Sequence, residues 1–135
     1  MITLIGTTSK KLQQYVDNIS YNLNLKSYNT LIDIKLQKKC DFDFNGWCVG
    51  DTDLIEIEIS RSQRNIKLSQ KEIMISLAHE MVHAQQIASG RMVDKHNRIQ
   101  FDGEYYFKNS IAYKDMPWEI EAYALEEIVY LENNC

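Results

Sequence analysis

Apolar and polar positions divide the chain into predicted strands and helices. The two kinds of residue alternate over residues 31–36 and again over 54–59, which predicts two strands with one face in a core. Residues 9–23 instead repeat their apolar positions every three or four residues, as an amphipathic helix does. A short apolar run at 47–49 lies between two turn signals, and we expect it to form another strand.

A second helix is predicted between Ser69 and Gly90. Ser69 and Glu72 have the spacing of a capping box, in which each side chain accepts from a backbone N–H at the helix start. Gly90 suits the position just past the end, where a left-handed conformation is common. One face is apolar, with Ile73, Leu77, Met81, Ala84 and Ala88 flanked by Met74 and Ile87. We expect this face to pack in a core and the opposite face to line a cleft.

A third helix is predicted from Pro117 to about Glu132. Proline is favoured in the first helical turn, and Asp115 is a plausible N-cap. The expected inward stripe follows helical spacing and comprises Trp118, Ala122, Leu125 and Val129. The order of elements predicts an α+β fold: an N-terminal helix, a small mixed sheet and two further helices, in one domain over residues 1–135.

Composition excludes several classes of function. The chain is 44% hydrophobic, which is enough for a core without disulfides, and its three cysteines show no metal-binding spacing. Its net charge of −4 gives no electrostatic footprint for nucleic acid. No apolar run approaches the roughly 20 residues needed to span a membrane. Residues 1–6 lack the basic flank of a signal peptide, so we expect a cytoplasmic protein.

The second helix carries the pattern H-E-x-x-H at residues 79–83. His79 and His83 are one turn apart on the same face, so both imidazoles can reach a single ion. Glu80 points elsewhere around the helix, where a carboxylate can accept a proton from a water on the metal. We therefore predict a catalytic metal site with His79 and His83 as ligands and Glu80 as general base.

The third ligand has three candidates. A third histidine at the metzincin spacing is absent, because Ser89 occupies that position. Glu121 lies on the edge of the apolar stripe of the third helix, where a carboxylate is costly unless it is paired or bound to metal, so it is the first choice. Glu119 is the alternative on the same helix, and His96 is the remaining histidine.

HEMVH followed by PWEIEAY resembles the small zinc metallopeptidases of the gluzincin type, notably short phage and bacterial proteins with the same two segments. The resemblance covers roughly residues 50–130. It implies a minimal zincin-like fold, Zn²⁺ as cofactor, a peptide or protein substrate, and the cytoplasm of the host cell if a phage encodes the chain. Glu121-Ala122 matches the ligand glutamate of that family. Leu125 stands where the family has an acid that orients a histidine.

A second resemblance is to SprT-type proteases, whose third ligand is a histidine from a following loop. His96 faintly matches that loop, although Asn97 replaces its glycine. A third possibility is a zinc-binding phage accessory protein without proteolytic activity.

For a peptidase, the oxyanion of the reaction would be stabilised by Tyr105, Tyr106 or Tyr113, which lie between the two motif helices. In zincin-like folds the strand before the metal helix often borders the cleft. Residues 54–60 could then pair with an extended peptide, or could equally form an inner strand.

Overall fold

The computed structural model describes residues 1–38 and 44–134. In chain order its helices and strands are β1 (Ile2–Ile5), α1 (Lys10–Asn22), β2 (Leu31–Gln37), β3 (Gly46–Gly50), β4 (Leu54–Ser60), β5 (Ser62–Gln63), β6 (Ile66–Lys67), α2 (Gln70–Ala88), β7 (Met92–Asp94), β8 (Arg98–Phe101), β9 (Glu104–Phe107) and α3 (Pro117–Asn133). Short 3-10 turns occupy Leu25–Ser27 and Tyr113–Asp115. The α+β class predicted from the sequence is confirmed.

The main sheet has the strand order β1-β2-β4-β3. β1, β2 and β4 are parallel, and β3 runs antiparallel to β4. Helices cover one face only, which explains the strict alternation of β2 and β4. The covered face buries Ile32, Ile34, Leu36, Ile55, Ile57 and Ile59. β4 is therefore an inner strand with its acidic residues on the open face, and the edge beside the helices belongs to β3.

The local signals of the first two helices match the structure. The Ser9 hydroxyl accepts a hydrogen bond from the Leu12 N–H at the start of α1. The capping box of α2 forms in both directions between Ser69 and Glu72, and Gly90 has φ +79° just past the helix end. The main sheet lies on one side of α2 and α3 packs on another. As a result α2 is buried around most of its circumference rather than on one face.

Two expectations after α2 need correction. No strand was predicted between α2 and α3, but β7, β8 and β9 form a three-stranded antiparallel sheet there. α3 begins at Pro117 with Met116 as its N-cap and no capping side chain. Asp115, the predicted cap, lies in the preceding 3-10 turn. Within the described ranges, none of the helices combines the length and the apolar character needed to cross a bilayer. Cys40 and Cys135 fall outside those ranges.

Candidate metal centre

His79 and His83 lie on the part of α2 that faces α3, and both are buried. Their Nε2 atoms point at one carboxylate oxygen, Oε1 of Glu119, at 3.1 Å from His79 and 3.0 Å from His83. Glu119 itself is 8% exposed. One donor atom from each of the three residues lies within 4.8 Å of the others. These buried residues could hold a metal ion.

The structure thus brings Glu119, rather than Glu121, to the two histidines. The buried face of α3 is centred near Ala122 and includes Glu119 and Asn133. At about 100° per residue, Glu119 lies about 60° from Ala122 around the helix, and Glu121 lies about 100° away on the opposite side. The predicted stripe placed the centre of this face too close to Leu125, which is only half-buried. This small error in the orientation of α3 explains why Glu121 was preferred over Glu119 in the prediction.

Glu121 is engaged elsewhere. Its two carboxylate oxygens accept hydrogen bonds from Arg91, at 2.9 Å for Oε1 and 2.7 Å for Oε2. These bonds from Arg91 lower the pKa of Glu121. His96, the other candidate, is exposed in the turn between β7 and β8 with φ +70°. Neither side chain belongs to the cluster formed by His79, His83 and Glu119.

The protonation of His83 indicates why the cluster fits a cation. Its Nδ1 lies 2.7 Å from Oε1 of Gln86. The amide of Gln86 has a fixed orientation, because its Nε2 donates to the Trp118 carbonyl at 3.1 Å and to Glu121 at 3.0 Å. His83 must therefore donate from Nδ1, and in the neutral ring Nε2 then has only a lone pair. A lone pair and a carboxylate facing each other at 3.0 Å require a shared positive charge.

His79 has a similar arrangement. Its Nδ1 lies 3.2 Å from Oε2 of Glu126, but the contact does not have the geometry of a hydrogen bond, and Nδ1 is a buried polar atom without such a bond among the described residues. The ring of Tyr123 packs against the imidazole with 4.5 Å between centroids. Glu126 therefore stands where a carboxylate commonly orients a metal-binding histidine.

Distances and chemistry are compatible with a zinc site. Ligand atoms at about 2.0–2.2 Å from a tetrahedral ion lie about 3.3–3.6 Å from one another. The two contacts between imidazole Nε2 and Oε1 of Glu119, at 3.1 and 3.0 Å, are slightly shorter. Two imidazoles and one carboxylate are also the ligand set of many catalytic zinc sites. Gln86 and Glu126 were not predicted from the sequence, although each lies at helical spacing from a residue of the cluster.

Electrostatics favour a cation between these groups. Burial opposes ionisation of Glu119, but hydrogen bonds from both histidines and from Tyr113 outweigh it and lower the pKa of Glu119 to about 2. Burial lowers the pKa of His83, yet its hydrogen bond and attraction to Glu119 outweigh burial, so the net shift is upward. The site therefore keeps the carboxylate charged and attracts a positive charge to the imidazoles.

Glu80 lies beside the cluster and has a separate environment. It is 7% exposed, and burial raises its pKa to about 7 against the opposing attraction of the two histidines. Gly46 at the start of β3 makes room for it, since a Cβ there would lie 3.3 Å from Cγ of Glu80 and 2.8 Å from Cδ1 of Ile59. A carboxyl group that titrates near neutral pH is suited to accept and return a proton.

Of the three tyrosines named from the sequence, Tyr113 lies at the cluster. Its hydroxyl donates to Oε1 of Glu119 at 2.9 Å. The Tyr106 hydroxyl instead donates to Glu104 at 3.1 Å, and Arg98 covers the ring of the exposed Tyr105. Tyr113 is therefore the one of the three that lies next to the ligands.

Three adjoining cavities border the cluster. The central one, of about 130 Å³, is lined by His79, Glu80, His83, Tyr113 and Glu119 together with residues of β3. On one side lies a larger and more polar cavity of about 440 Å³ that shares His79 and Glu80. On the other side, a cavity of about 190 Å³ is bordered by apolar residues, including Val49, Ile87, Met92, Ile99 and Trp118. The cluster thus lies in the middle of a cleft beside the β3 edge.

Neither a protein-family model nor a curated protein matches this chain. The inference of a metal site therefore rests on the geometry of His79, His83 and Glu119.

Proposed function

We propose that this protein is a zinc-dependent peptidase. The observation that carries the proposal is the convergence of buried His79, His83 and Glu119 beside a buried Glu80 whose pKa is raised to about 7. A purely structural zinc site closes its coordination with four protein ligands, and it has no use for an adjacent base. Three ligands and a neighbouring carboxylate suit a catalytic site better.

His79, His83 and Glu119 would hold the zinc ion. When bound, zinc supplies Lewis acidity, which polarises a peptide carbonyl and lowers the pKa of water. Glu80 accepts the proton of the attacking water and returns it to the leaving amine, so its own charge is restored at the end of each cycle. The cavity that Glu80 shares with the three ligands supports this role.

Tyr113 is the proposed donor to the developing oxyanion. Its hydroxyl already lies 2.9 Å from the Glu119 carboxylate and borders the central cavity. Burial, with contributions from Tyr123 and Glu119, raises the pKa of Tyr113, which keeps the phenol protonated and able to donate. A donor in this position would stabilise negative charge on the carbonyl oxygen.

The cleft suggests how a peptide would bind. β3 forms the edge of the main sheet beside α2, so an extended peptide could add to it by backbone hydrogen bonds. The cavity of about 190 Å³ would then receive an apolar side chain next to the cleaved bond. Of the two alternatives for residues 54–60, the inner strand is the correct one, because β2 and β3 cover both edges of β4.

The test compares the wild type with Glu80→Gln. Both should bind zinc in equal amounts, measured by mass spectrometry of metal content. On a peptide library analysed by mass spectrometry, the variant should cleave about 10²- to 10⁴-fold more slowly, the usual contribution of a general base. Glu127→Gln changes an exposed glutamate of α3 and should leave cleavage unchanged.

The possible outcomes separate the parts of the proposal. Cleavage that a chelator abolishes and added zinc restores supports it. Zinc bound by a wild type that cleaves no peptide refutes the peptidase and leaves a metal-binding protein. An active Glu80→Gln variant refutes the role of Glu80.

A further inference from the structure

We propose that Gln86 is a positioning residue that keeps Nε2 of His83 free for the metal, and that Glu121 and Arg91 hold Gln86 in the required orientation. The proposal rests on the metal-binding part of the function proposed above and is independent of peptide hydrolysis. It gives a role to Glu121, which does not belong to the cluster of His79, His83 and Glu119.

Gln86 is fully buried between α2 and α3, with 0% of its surface exposed. Its side chain makes three hydrogen bonds: Oε1 accepts from His83 Nδ1 at 2.7 Å, and Nε2 donates to the Trp118 carbonyl and to Glu121. Trp118 directly precedes Glu119, so Gln86 links one ligand to the backbone beside another. Both polar atoms of the amide are hydrogen-bonded, as expected for a buried polar side chain with one fixed orientation.

A reversed amide would be strongly unfavourable. Oε1 of Gln86 would then face the carboxylate of Glu121 and the Trp118 carbonyl, and Nε2 would face the imidazole, so two acceptors would lose their donor. Arg91 strengthens this preference, because its guanidinium binds both oxygens of Glu121 and keeps that carboxylate in place. Asp102 binds the other side of the same guanidinium at 2.8 and 3.0 Å.

The consequence for His83 is a fixed tautomer. With an acceptor at Nδ1, the ring carries its proton there, and Nε2 presents a lone pair toward Glu119 and His79. Without Gln86, a proton on Nδ1 would be buried without its acceptor, and a neutral ring would instead carry its proton on Nε2, toward the Glu119 carboxylate. Zinc would then have to displace that proton before binding, so its affinity would fall.

The first measurement uses the metal-free protein, labelled with ¹⁵N in histidine, at neutral pH. Long-range ¹H–¹⁵N correlation spectra distinguish the two tautomers. We expect His83 in the wild type to hold a proton on Nδ1, bonded to Gln86, whether or not Nε2 shares a second proton with Glu119. In Gln86→Leu we expect the ring to carry its proton on Nε2 alone. A residue with a purely structural role would not move the proton.

The second measurement is the zinc dissociation constant, obtained by competition with a chelating dye. Gln86→Leu should bind zinc about 10- to 100-fold more weakly, as is usual for partners that orient a metal-binding histidine. Gln86→Glu should also weaken binding, because it places a second carboxylate against Glu121. The double variant Gln86→Glu/Glu121→Gln exchanges the acid and the amide and keeps the bonds between these positions and to His83. It should recover part of the affinity that Gln86→Glu loses, because the Trp118 carbonyl still lacks its donor.

The double variant also guards against simple misfolding of the single ones. The proposal is overturned if Gln86→Leu keeps the wild-type protonation of His83 and the wild-type zinc affinity, or if the double variant binds zinc no more tightly than Gln86→Glu. A wild type that binds no zinc would refute the proposed function, while the tautomer spectra would still decide the role of Gln86.

Discussion

Replacing Glu119 by glutamine is the sharpest test of the metal centre. The substitution keeps the size and shape of the side chain, and it removes the negative charge that the two imidazoles face at 3.0 and 3.1 Å. Glu121→Gln makes the same chemical change two residues away, on a side chain that binds Arg91 instead. Glu127→Gln makes it at an exposed position of α3. The three variants therefore differ in location alone.

The expected effect follows from the share of one ligand in the binding energy. Four-ligand structural zinc sites in small peptides bind with about 10–16 kcal/mol, which is about 2.5–4 kcal/mol for each ligand. At about 1.4 kcal/mol per factor of ten, loss of Glu119 as a charged ligand should weaken zinc binding roughly a hundredfold to a thousandfold. Glu121→Gln keeps an acceptor for Gln86, so its dissociation constant should stay within about tenfold of the wild type.

Competition with a chelating dye at neutral pH measures all three dissociation constants, and far-ultraviolet circular dichroism verifies that each metal-free variant is folded. Equal zinc affinity of Glu119→Gln and the wild type would refute Glu119 as the third ligand. A larger loss in Glu121→Gln than in Glu119→Gln would restore the ligand first expected from the sequence.

Three further predictions concern groups around the ligands. Gly46→Ala places a methyl group 2.8 Å from Cδ1 of Ile59 and 3.3 Å from Cγ of Glu80, so these side chains must shift. Peptide turnover should fall roughly tenfold or more with unchanged zinc content, because Glu80 is displaced, and full activity would show that Glu80 does not need this space. Tyr113→Phe removes the donor to Glu119; kcat should fall more than zinc affinity, and an unchanged kcat would exclude an oxyanion role. Arg91 lowers the pKa of Asp102 and of Glu121, so these ion pairs stabilise the fold fully above the ordinary pKa values of 3.8 and 4.5 and lose their effect as the pH falls below them. The free energy of unfolding of Arg91→Met, measured in urea, should therefore depend less on pH in that acidic range. The same pH dependence in the variant and the wild type would contradict this role of Arg91.

Several parts of this fold could be predicted because the signal is local. The alternation in β2 and β4 is visible because one face of the sheet is open to solvent. The capping box at Ser69 and the glycine after α2 depend on contacts within one helical turn, so the ends of α2 are encoded nearby in the chain. The spacing of His79 and His83 likewise needs nothing more than a helix.

The choice between Glu119 and Glu121 could not be predicted in the same way. Glu119 and Glu121 lie on either side of the same apolar stripe, and the choice depends on a rotation of α3 by a few tens of degrees against α2. That rotation is coupled to Arg91 and Gln86, which lie about thirty residues earlier and occupy Glu121. The sheet of β7, β8 and β9 was not predicted for a different reason. Its strands are short, and they carry exposed aromatic side chains such as Tyr105 and Phe107, so their apolar and polar residues do not alternate clearly.

The buried carboxylate also predicts that metal binding is coupled to folding. Glu119 is removed from water against two imidazoles, and an ion shared by the three groups would replace the hydration that they lose on folding. A ligand that binds the native state alone adds about 4 kcal/mol of stability at a thousand times its dissociation constant. For a chain of this length that corresponds to a rise of roughly 14 °C in Tm. Scanning calorimetry with and without zinc should show this rise in the wild type and a much smaller one in Glu119→Gln. An equal rise in both proteins would place the stabilising ion elsewhere in the molecule.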